Sequence, residues 1–140
     1  MNRPIKTITE AQLLSSPASD YMNREQLDFF KQKLLQMQQE LTTKAHASGT
    51  YVREASLAAD PFDRASQEEE HAFEVRARER EHQLLTKIEF ALQRIDDGSY
   101  GFCEDTGEPI GLPRLLARPI ATLSLEAQER REKLDRVHSK

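Results

Sequence analysis

Two series of apolar residues repeat at alternating steps of three and four, and this spacing constrains the fold more than any other feature of the chain. The first series is Leu27, Phe30, Leu34, Met37 and Leu41, and the second is Leu85, Ile88, Leu92 and Ile95. Apolar residues at this spacing form a narrow stripe along one side of a helix, as in the seam of a coiled coil. The sequence therefore predicts two long helices that bury their stripes against each other.

The chain carries a helix-start signal between the two series, near their midpoint. There Asp60 suits an N-cap, Pro61 the first helical position and Asp63 the first turn, where a carboxylate meets the positive end of a helix. A chain reversal at this point makes the two stripes antiparallel. We therefore predict a coiled-coil hairpin over residues 22–97, with its tip near residues 58–66.

The ends of this hairpin carry further signals. Asn23 and Gln26 have the spacing of a capping box, which places the start of the first helix at Asn23. Gly98 follows the second series and suits the C′ position of the second helix. Because the two stripes cover each other within one chain, we expect a monomer.

The remaining residues form a leader and a small region of turns and short helices. We expect the leader, residues 1–21, to pack on the globular part. Residues 98–140 include a turn from Tyr100 to Gly111 that holds three of the five glycines, and Ser124 then suits the N-cap of a last helix. The predicted fold class is mainly α, with a long antiparallel hairpin, a small globular region and a C-terminal helix.

The composition excludes several classes of protein. Of 140 residues, 31% are charged and one is a cysteine, so an intramolecular disulfide cannot form. No apolar run is long enough to cross a membrane and no secretory signal is evident, so we expect a cytoplasmic protein without membrane contact. With 24 acidic against 20 basic residues, the charge gives no sign of DNA binding. No nucleophile–base pair, phosphate loop or dinucleotide motif is present, and we expect no enzyme.

The acidic residues of the hairpin tip have two interpretations. Residues 60–81 contain eight acidic groups against four arginines. Aspartates are common at the N-cap and in the first turn of helices, so helix capping alone is a sufficient explanation for Asp60 and Asp63. They can also present paired negative charge to a metal or a basic loop of a partner. The two interpretations are compatible, because a capping residue can also contact a partner.

Two pairs of residues near the C-terminus have the spacing of a degenerate zinc site. Cys103 precedes Thr106 by three positions, and Ser124 precedes Ala127 by three. A four-cysteine site would need thiolates at all four positions, whereas neutral hydroxyls are poor Zn²⁺ ligands and alanine is none. We therefore expect no bound metal, with Cys103 as a small buried residue and Ser124 as a helix cap.

These motifs resemble the DksA/TraR family of transcription factors. The run from Asp60 to Glu70, DPFDRASQEEE, resembles the coiled-coil tip of that family. Its zinc-finger region is similar to Tyr100-Gly101-Phe102-Cys103 followed by Gly107, Ile110-Gly111, Arg114-Leu115 and Ala117-Arg118-Pro119. Typical members have cysteines at all four positions of the degenerate site. This chain keeps the first, and so resembles the cysteine-poor, zinc-independent DksA paralogues.

The resemblance implies an accessory protein of bacterial RNA polymerase that does not bind DNA. Such proteins insert their coiled coil into the secondary channel and, with the alarmone ppGpp, destabilise promoter open complexes in the stringent response, at ribosomal RNA promoters above all. The implied tip determinants are Asp60, Asp63 and Ala65, and the implied ppGpp-binding residues at the polymerase interface are Leu84, Lys87 and Arg118. A further family lysine is replaced by Gln128, which weakens the expected alarmone contact.

Without a metal, residues 99–126 must be held together by packing. The candidate core residues are Phe102, Ile110, Leu112, Leu115, Leu116, Ile120, Leu123 and Leu125, with Leu13 and Leu14 of the leader. We hypothesise that the protein acts when zinc is scarce or thiols are oxidised. Two other functions remain open: a factor that stimulates transcript cleavage by the polymerase, and a helical adaptor without a role for its tip.

Overall fold

The computed structural model describes residues 8–56 and 63–138, with side chains for residues 8–44 and 66–138. Five α-helices account for most of these residues: α1 (Glu10–Leu14), α2 (Arg24–Ser56), α3 (Asp63–Asp97), α4 (Leu112–Ala117) and α5 (Leu125–His138). A 3₁₀ turn at Ala18–Asp20 lies between α1 and α2. The described residues form no strand, and their β-structure is one isolated antiparallel bridge between Phe102 and Pro109. The prediction of a mainly α fold is confirmed.

The chain divides into two compact units. One unit comprises Leu35–Glu89, and the other comprises Met1–Leu34 together with Phe90–Lys140. The first is here called the hairpin unit and the second the terminal unit. Both long helices contribute to each unit.

The hairpin unit contains the later part of α2 and the earlier part of α3. Lys44 Nζ lies 3.9 Å from Glu81 Oε1, which links the two helices in antiparallel directions. The stripe residues Met37, Leu41 and Leu85 are half-buried, and Ile88 is fully buried. The stripes therefore lie on the inner side of the helices, as their spacing predicts. Residues 58–62 of the predicted tip lie outside the described residues.

The core of the terminal unit gathers apolar side chains from all five α-helices. It contains Leu13 of α1, Phe30 and Leu34 of α2, Ala91 of α3, Leu115 of α4 and Ala127 of α5, with Tyr100, Ile110 and Leu123 from the connecting segments. The rings of Phe30 and Tyr100 lie 5.6 Å apart, and those of Tyr21 and Phe102 meet edge to face at the same separation. The leader residues from Ile8 onward thus share a core with the C-terminal part.

Two of the residues expected in this core lie at the surface instead. Leu14 is 50% exposed and Leu125 is 58% exposed. Neighbouring residues on a helix point about 100° apart, so a single short helix cannot bury both Leu13 and Leu14. Leu125 begins α5, and the face of that helix that meets the core carries Ala127 two positions later.

The helix ends follow the sequence signals with one change. The backbone N–H of Gln26 donates to Asn23 Oδ1 at 3.0 Å, as a capping box requires. The Gln26 side chain accepts from the backbone N–H of Met22 rather than of Asn23, because Met22 has a positive φ of 56° that turns its N–H toward the helix. Gly98 follows α3 with a φ of 84°, as expected for a C′ glycine.

None of the helices in the described part of the chain combines the length and the apolar character that a membrane span requires.

Candidate functional site

A compact turn region follows α3, and a buried arginine organises it. The turn region is defined here as residues 98–111. Arg94 on α3 is 6% exposed, and its Nη2 atom donates to the carbonyl oxygens of Ser99 at 2.8 Å and Phe102 at 2.7 Å. Its Nε atom donates to Ser99 Oγ at 3.2 Å. Because hydrogen bonds from a charged donor are stronger than neutral ones, Arg94 fixes the path of the chain as it leaves α3.

Backbone hydrogen bonds close the turn region around Cys103. The N–H of Cys103 donates to the carbonyl oxygen of Glu108 at 2.8 Å. The N–H of Gly107 donates to the carbonyl oxygen of Cys103 at 2.8 Å. The N–H of Glu104 donates to the carbonyl oxygen of Thr122 at 2.9 Å. This last bond joins the turn region to the segment that leads into α5.

The four positions of the predicted degenerate zinc site converge here. Cys103 is 3% exposed, and Thr106 and Ser124 lie beside its thiol, where their groups affect its pKa. Ser124 Oγ also accepts the backbone N–H of Ala127 at 3.2 Å, which confirms Ser124 as the N-cap of α5. Ala127 itself is 1% exposed and packs as a core methyl group.

The thiol of Cys103 is more acidic than the sequence suggests. Burial raises the pKa of this thiol, but hydrogen bonds from the side chains and backbone N–H groups of Thr106 and Ser124 outweigh burial and lower the pKa to about 6. A thiolate is stabilised by donors that point at it, as it would be by a metal ion. Cys103 was expected to be a small buried residue; it is buried, but its sulfur also serves as a hydrogen-bond acceptor.

A second link joins the turn region to α5. Arg131 Nε donates to Asp105 Oδ2 at 3.0 Å, and Arg131 Nη2 donates to Asp105 Oδ1 in a bidentate ion pair. The hydrogen bond and charge of Arg131 lower the pKa of the Asp105 carboxyl group. The sequence analysis did not identify this pair, since the two residues are 26 positions apart and neither belongs to a motif.

The residues implied for ppGpp binding belong to both units. Leu84 and Lys87 lie one turn apart on α3 in the hairpin unit, where Leu84 is half-buried and Lys87 is exposed. Arg118 follows α4 in the terminal unit and is exposed. Neither cation forms an ion pair with a residue in the described part of the chain. Gln128, at the position of the replaced lysine, is half-buried on α5 and donates to Glu132 Oε1 at 3.2 Å.

The predicted tip is described only in part. Asp60 lies outside the described residues, whereas Asp63 and Ala65 belong to the first turn of α3, with side chains outside the described set. From residue 66 onward α3 has a polar surface, on which the side chains of Glu68, Glu69 and Glu70 are exposed.

These features define a class of protein: an antiparallel helical hairpin whose helices continue into a small unit with a zinc-finger-like turn. Comparison with protein families agrees with this description. Residues 26–95 match the model of the family described as "DnaK suppressor protein DksA, N-terminal domain". Residues 98–133 match the family described as "Prokaryotic dksA/traR C4-type zinc finger".

Curated relatives give the same result over most of the chain. A protein of Caulobacter vibrioides named "RNA polymerase-binding transcription factor DksA" is 50% identical over 125 residues, which cover 87% of this chain and 88% of the relative. The protein of the same name from Escherichia coli K12 is 40% identical over 113 residues, which cover 80% of this chain and 75% of the relative. The chain therefore belongs to the DksA family, whose members are named as transcription factors and not as enzymes.

A solved structure matches the whole architecture. The structure of transcription factor DksA2 from Pseudomonas aeruginosa superposes with a TM-score of 0.85 at 46% sequence identity. The match covers 91% of this chain and 99% of that one. The predicted family and the predicted hairpin fold are both confirmed.

The residues present do not fit the metal that the family description implies. A C4-type site needs four thiolates, and this chain contains one cysteine. Thr106 and Ser124 present groups that donate to the Cys103 sulfur, which makes them partners of a thiolate rather than ligands of a cation. Among the described residues, no three His, Cys, Asp or Glu side chains are grouped so that they could hold a metal ion.

Proposed function

We propose that this chain binds bacterial RNA polymerase and regulates transcription without catalysing a reaction. The observation that carries the proposal is the 50% identity, over 87% of the chain, to a protein named for binding RNA polymerase. We further propose that the hairpin enters the secondary channel of the polymerase, acts with ppGpp and destabilises promoter open complexes. The protein would work in the cytoplasm as a monomer, without direct contact to DNA.

The surface of the hairpin unit supports a role inside an enzyme channel. The described part of α3 beyond the tip is acidic and exposed, with glutamates at positions 68–70 and an exposed Phe73 whose ring carries the guanidinium of Arg76 at 4.8 Å. Such a surface is soluble before binding and can meet basic groups afterwards. Asp60, Asp63 and Ala65 are the residues we propose to act at the tip, where carboxylates can contact a metal ion or a basic loop near the polymerase active site.

The exposed cations support an anion-binding role. Lys87 and Arg118 make no ion pair with a described residue, so their charges are available for phosphate groups. Leu84, one turn before Lys87, offers an apolar contact beside that charge. We propose that these three residues contact ppGpp when the protein is bound to the polymerase, and that the neutral Gln128 makes the response to ppGpp weaker than a lysine would.

The chemistry of the turn region supports action without zinc. A structural Zn²⁺ contributes about 10–16 kcal/mol of apparent binding energy in small zinc domains, so a protein that depends on it loses its fold to chelators. Here the region is closed by hydrogen bonds and by a core that includes Tyr100, Ile110 and Leu123. We propose that the protein performs the family's role when zinc is scarce or when cysteine thiolates would be oxidised.

The decisive experiment is multi-round transcription from a ribosomal RNA promoter with purified bacterial RNA polymerase. The protein is added with and without ppGpp, and with and without a zinc chelator. We expect inhibition that ppGpp deepens and the chelator leaves unchanged. Asp63→Asn should abolish the inhibition while the variant still binds the polymerase, whereas the matched control Glu70→Gln should behave like the unmodified protein.

Other outcomes identify other functions. Release of short RNA 3′ fragments from stalled complexes would replace this proposal with a cleavage-stimulating role. Activity that Asp63→Asn leaves intact but Leu34→Ala removes would indicate a helical adaptor. Stoichiometric zinc in the purified protein would contradict the proposed independence from zinc, even if inhibition were observed.

A further inference from the structure

A C4 metal would join two segments of the terminal unit. The first two ligand positions, Cys103 and Thr106, lie in the turn region, and the last two, Ser124 and Ala127, lie at the start of α5. A metal bound by all four would prevent α5 from moving away from the turn region. Because this chain lacks the donors for that metal, other contacts must hold the two segments together, and the hydrogen bond from Glu104 N–H to the Thr122 carbonyl oxygen is one of them.

We infer that the Asp105–Arg131 ion pair is the cross-link that takes the place of the metal. Asp105 lies between the two former ligand positions of the turn region. Arg131 lies four residues after Ala127, and residues four apart share one face of a helix. Ala127 is 1% exposed, so this face of α5 is packed against the rest of the terminal unit, and the contact of Arg131 with Asp105 brings the turn region to it. The ion pair therefore connects the two segments beside the former metal position.

The geometry suits a structural link. Both carboxylate oxygens of Asp105 are bound by Nε and Nη2 of the same guanidinium, an arrangement that fixes orientation as well as distance. The pKa of Asp105 is lowered and that of Arg131 is raised, each mainly through the hydrogen bonds between them, as expected for a pair that favours both charged forms. The side chains are 35% and 52% exposed, so salt will weaken this link where it would not weaken a metal–thiolate bond.

The inference rests on the metal-free part of the proposed function and is independent of polymerase binding. Its test compares Asp105→Asn in two backgrounds. One is the native sequence, and the other carries Thr106→Cys, Ser124→Cys and Ala127→Cys, which restore four cysteines, and is loaded with zinc. If the metal and the ion pair stabilise the same contact between the turn region and α5, removing the pair should lower the melting temperature mainly where the metal is absent.

In the native background we expect Asp105→Asn to lower the melting temperature by about 1–4 °C. In the zinc-loaded background the loss should be less than half as large. The matched control is Glu108→Gln, which removes a negative charge from the same turn region without breaking an ion pair seen in the described residues. Equal losses in both backgrounds, or an equal loss for Glu108→Gln, would overturn the inference.

A second measurement decides the question if the four-cysteine variant fails to fold or to hold one zinc. Hydrogen exchange is followed at the backbone N–H groups of Cys103, Glu104 and Gly107 in the native background. Asp105→Asn and Arg131→Gln should each accelerate this exchange severalfold, and 0.5 M NaCl should do the same to the unmodified protein. Unchanged exchange in both variants would overturn the inference. Zinc found in the native protein would instead contradict the proposed function, so the two failures can be distinguished.

Discussion

The hydroxyl of Tyr21 donates a hydrogen bond of 2.6 Å to the carbonyl oxygen of Gly101, 80 residues further along the chain. The same hydroxyl accepts the backbone N–H of Gly111 at 3.0 Å. One side chain at the end of the leader thus joins both ends of the turn region. Burial raises the pKa of this hydroxyl group, so it remains a donor over the whole physiological range.

Tyr21→Phe should therefore lower the free energy of unfolding by about 1–3 kcal/mol, because it leaves the partly buried N–H of Gly111 without its acceptor and removes one of the two hydrogen bonds to the Gly101 carbonyl oxygen. Urea unfolding followed by circular dichroism measures this change. Ser19→Ala changes an exposed residue of the same leader and serves as the control, with an expected change below about 0.5 kcal/mol. Similar losses in the two variants would show that Tyr21 has no special role.

Arg94→Met should be the most damaging single substitution in the terminal unit. It keeps much of the apolar stem but leaves the carbonyl oxygens of Ser99 and Phe102 without their charged donor. We expect a loss of about 3 kcal/mol or more in the free energy of unfolding. The adjacent exposed Gln93→Met is the control. A loss in Arg94→Met that does not exceed that of the control would contradict the role given to Arg94.

Gly101→Ala should destabilise the protein for two separable reasons. Gly101 has a φ of 88°, and a Cβ placed there would lie 2.7 Å from both Cγ and Sδ of Met22. We expect a loss of about 1–3 kcal/mol from the strained backbone and the collision together. In a double-mutant cycle, Met22→Ala should recover the part due to the collision, and purely additive losses would exclude that contact as a cause.

The stability of the protein should rise with pH because of Cys103. Burial raises the pKa of this thiol, but the stronger effect of its hydrogen bonds lowers it to about 6, whereas an unfolded thiol titrates near pH 8.5. The unfolded state therefore binds more protons between these values. The stabilisation is complete above about pH 8.5 and is lost as the pH falls through 6.

The measurement is the free energy of unfolding of the native protein minus that of Cys103→Ala, since this difference cancels the other titrating groups. It should increase from pH 6 to 8.5 with a slope of at most about 1.4 kcal/mol per pH unit. Thiolate absorbance of the folded protein should show a midpoint near pH 6. A difference that is constant with pH would show that Cys103 remains a neutral thiol.

Gln128→Lys should strengthen the response to ppGpp. The substitution restores a cation at the position where the family resemblance places a phosphate contact, and one charge-assisted hydrogen bond contributes about 1.5–3 kcal/mol. We expect the ppGpp concentration for half-maximal inhibition of transcription to fall about tenfold. Gln93→Lys adds the same charge elsewhere on the terminal unit and should leave that concentration unchanged. A fall in both variants would indicate a general effect of charge.

The sequence predicts the helices of this protein well, because their signals are local or periodic. The stripe residues Phe30 and Ile88 are buried as the three-and-four spacing requires. Asn23, Gly98 and Ser124 take the capping positions expected of their side chains. Each of these predictions depends on residues within a few positions of one another.

The contacts of the terminal unit were beyond such reasoning. From the sequence, Arg94 would be expected to be a surface cation at the end of a helix. It is 6% exposed because the turn region folds back over it. Tyr21 and Gly101 have no pattern that would associate them across 80 residues. The degenerate zinc motif associates Ser124 with Cys103, but nothing in the motif indicates that the pKa of the Cys103 thiol is lowered. Long-range polar contacts of this kind produce no periodic pattern in the sequence from which they could be predicted.

The way the turn region is closed has a consequence for how the chain can change over generations. In a four-ligand metal site every ligand is required, so a single substitution can remove the whole contribution of the ion. Here the same region is held by many modest contacts, among them those of Tyr21, Arg94, Glu104 and Asp105. Each contributes only a part of what holds the region together, so one substitution weakens the region without removing all of its support at once.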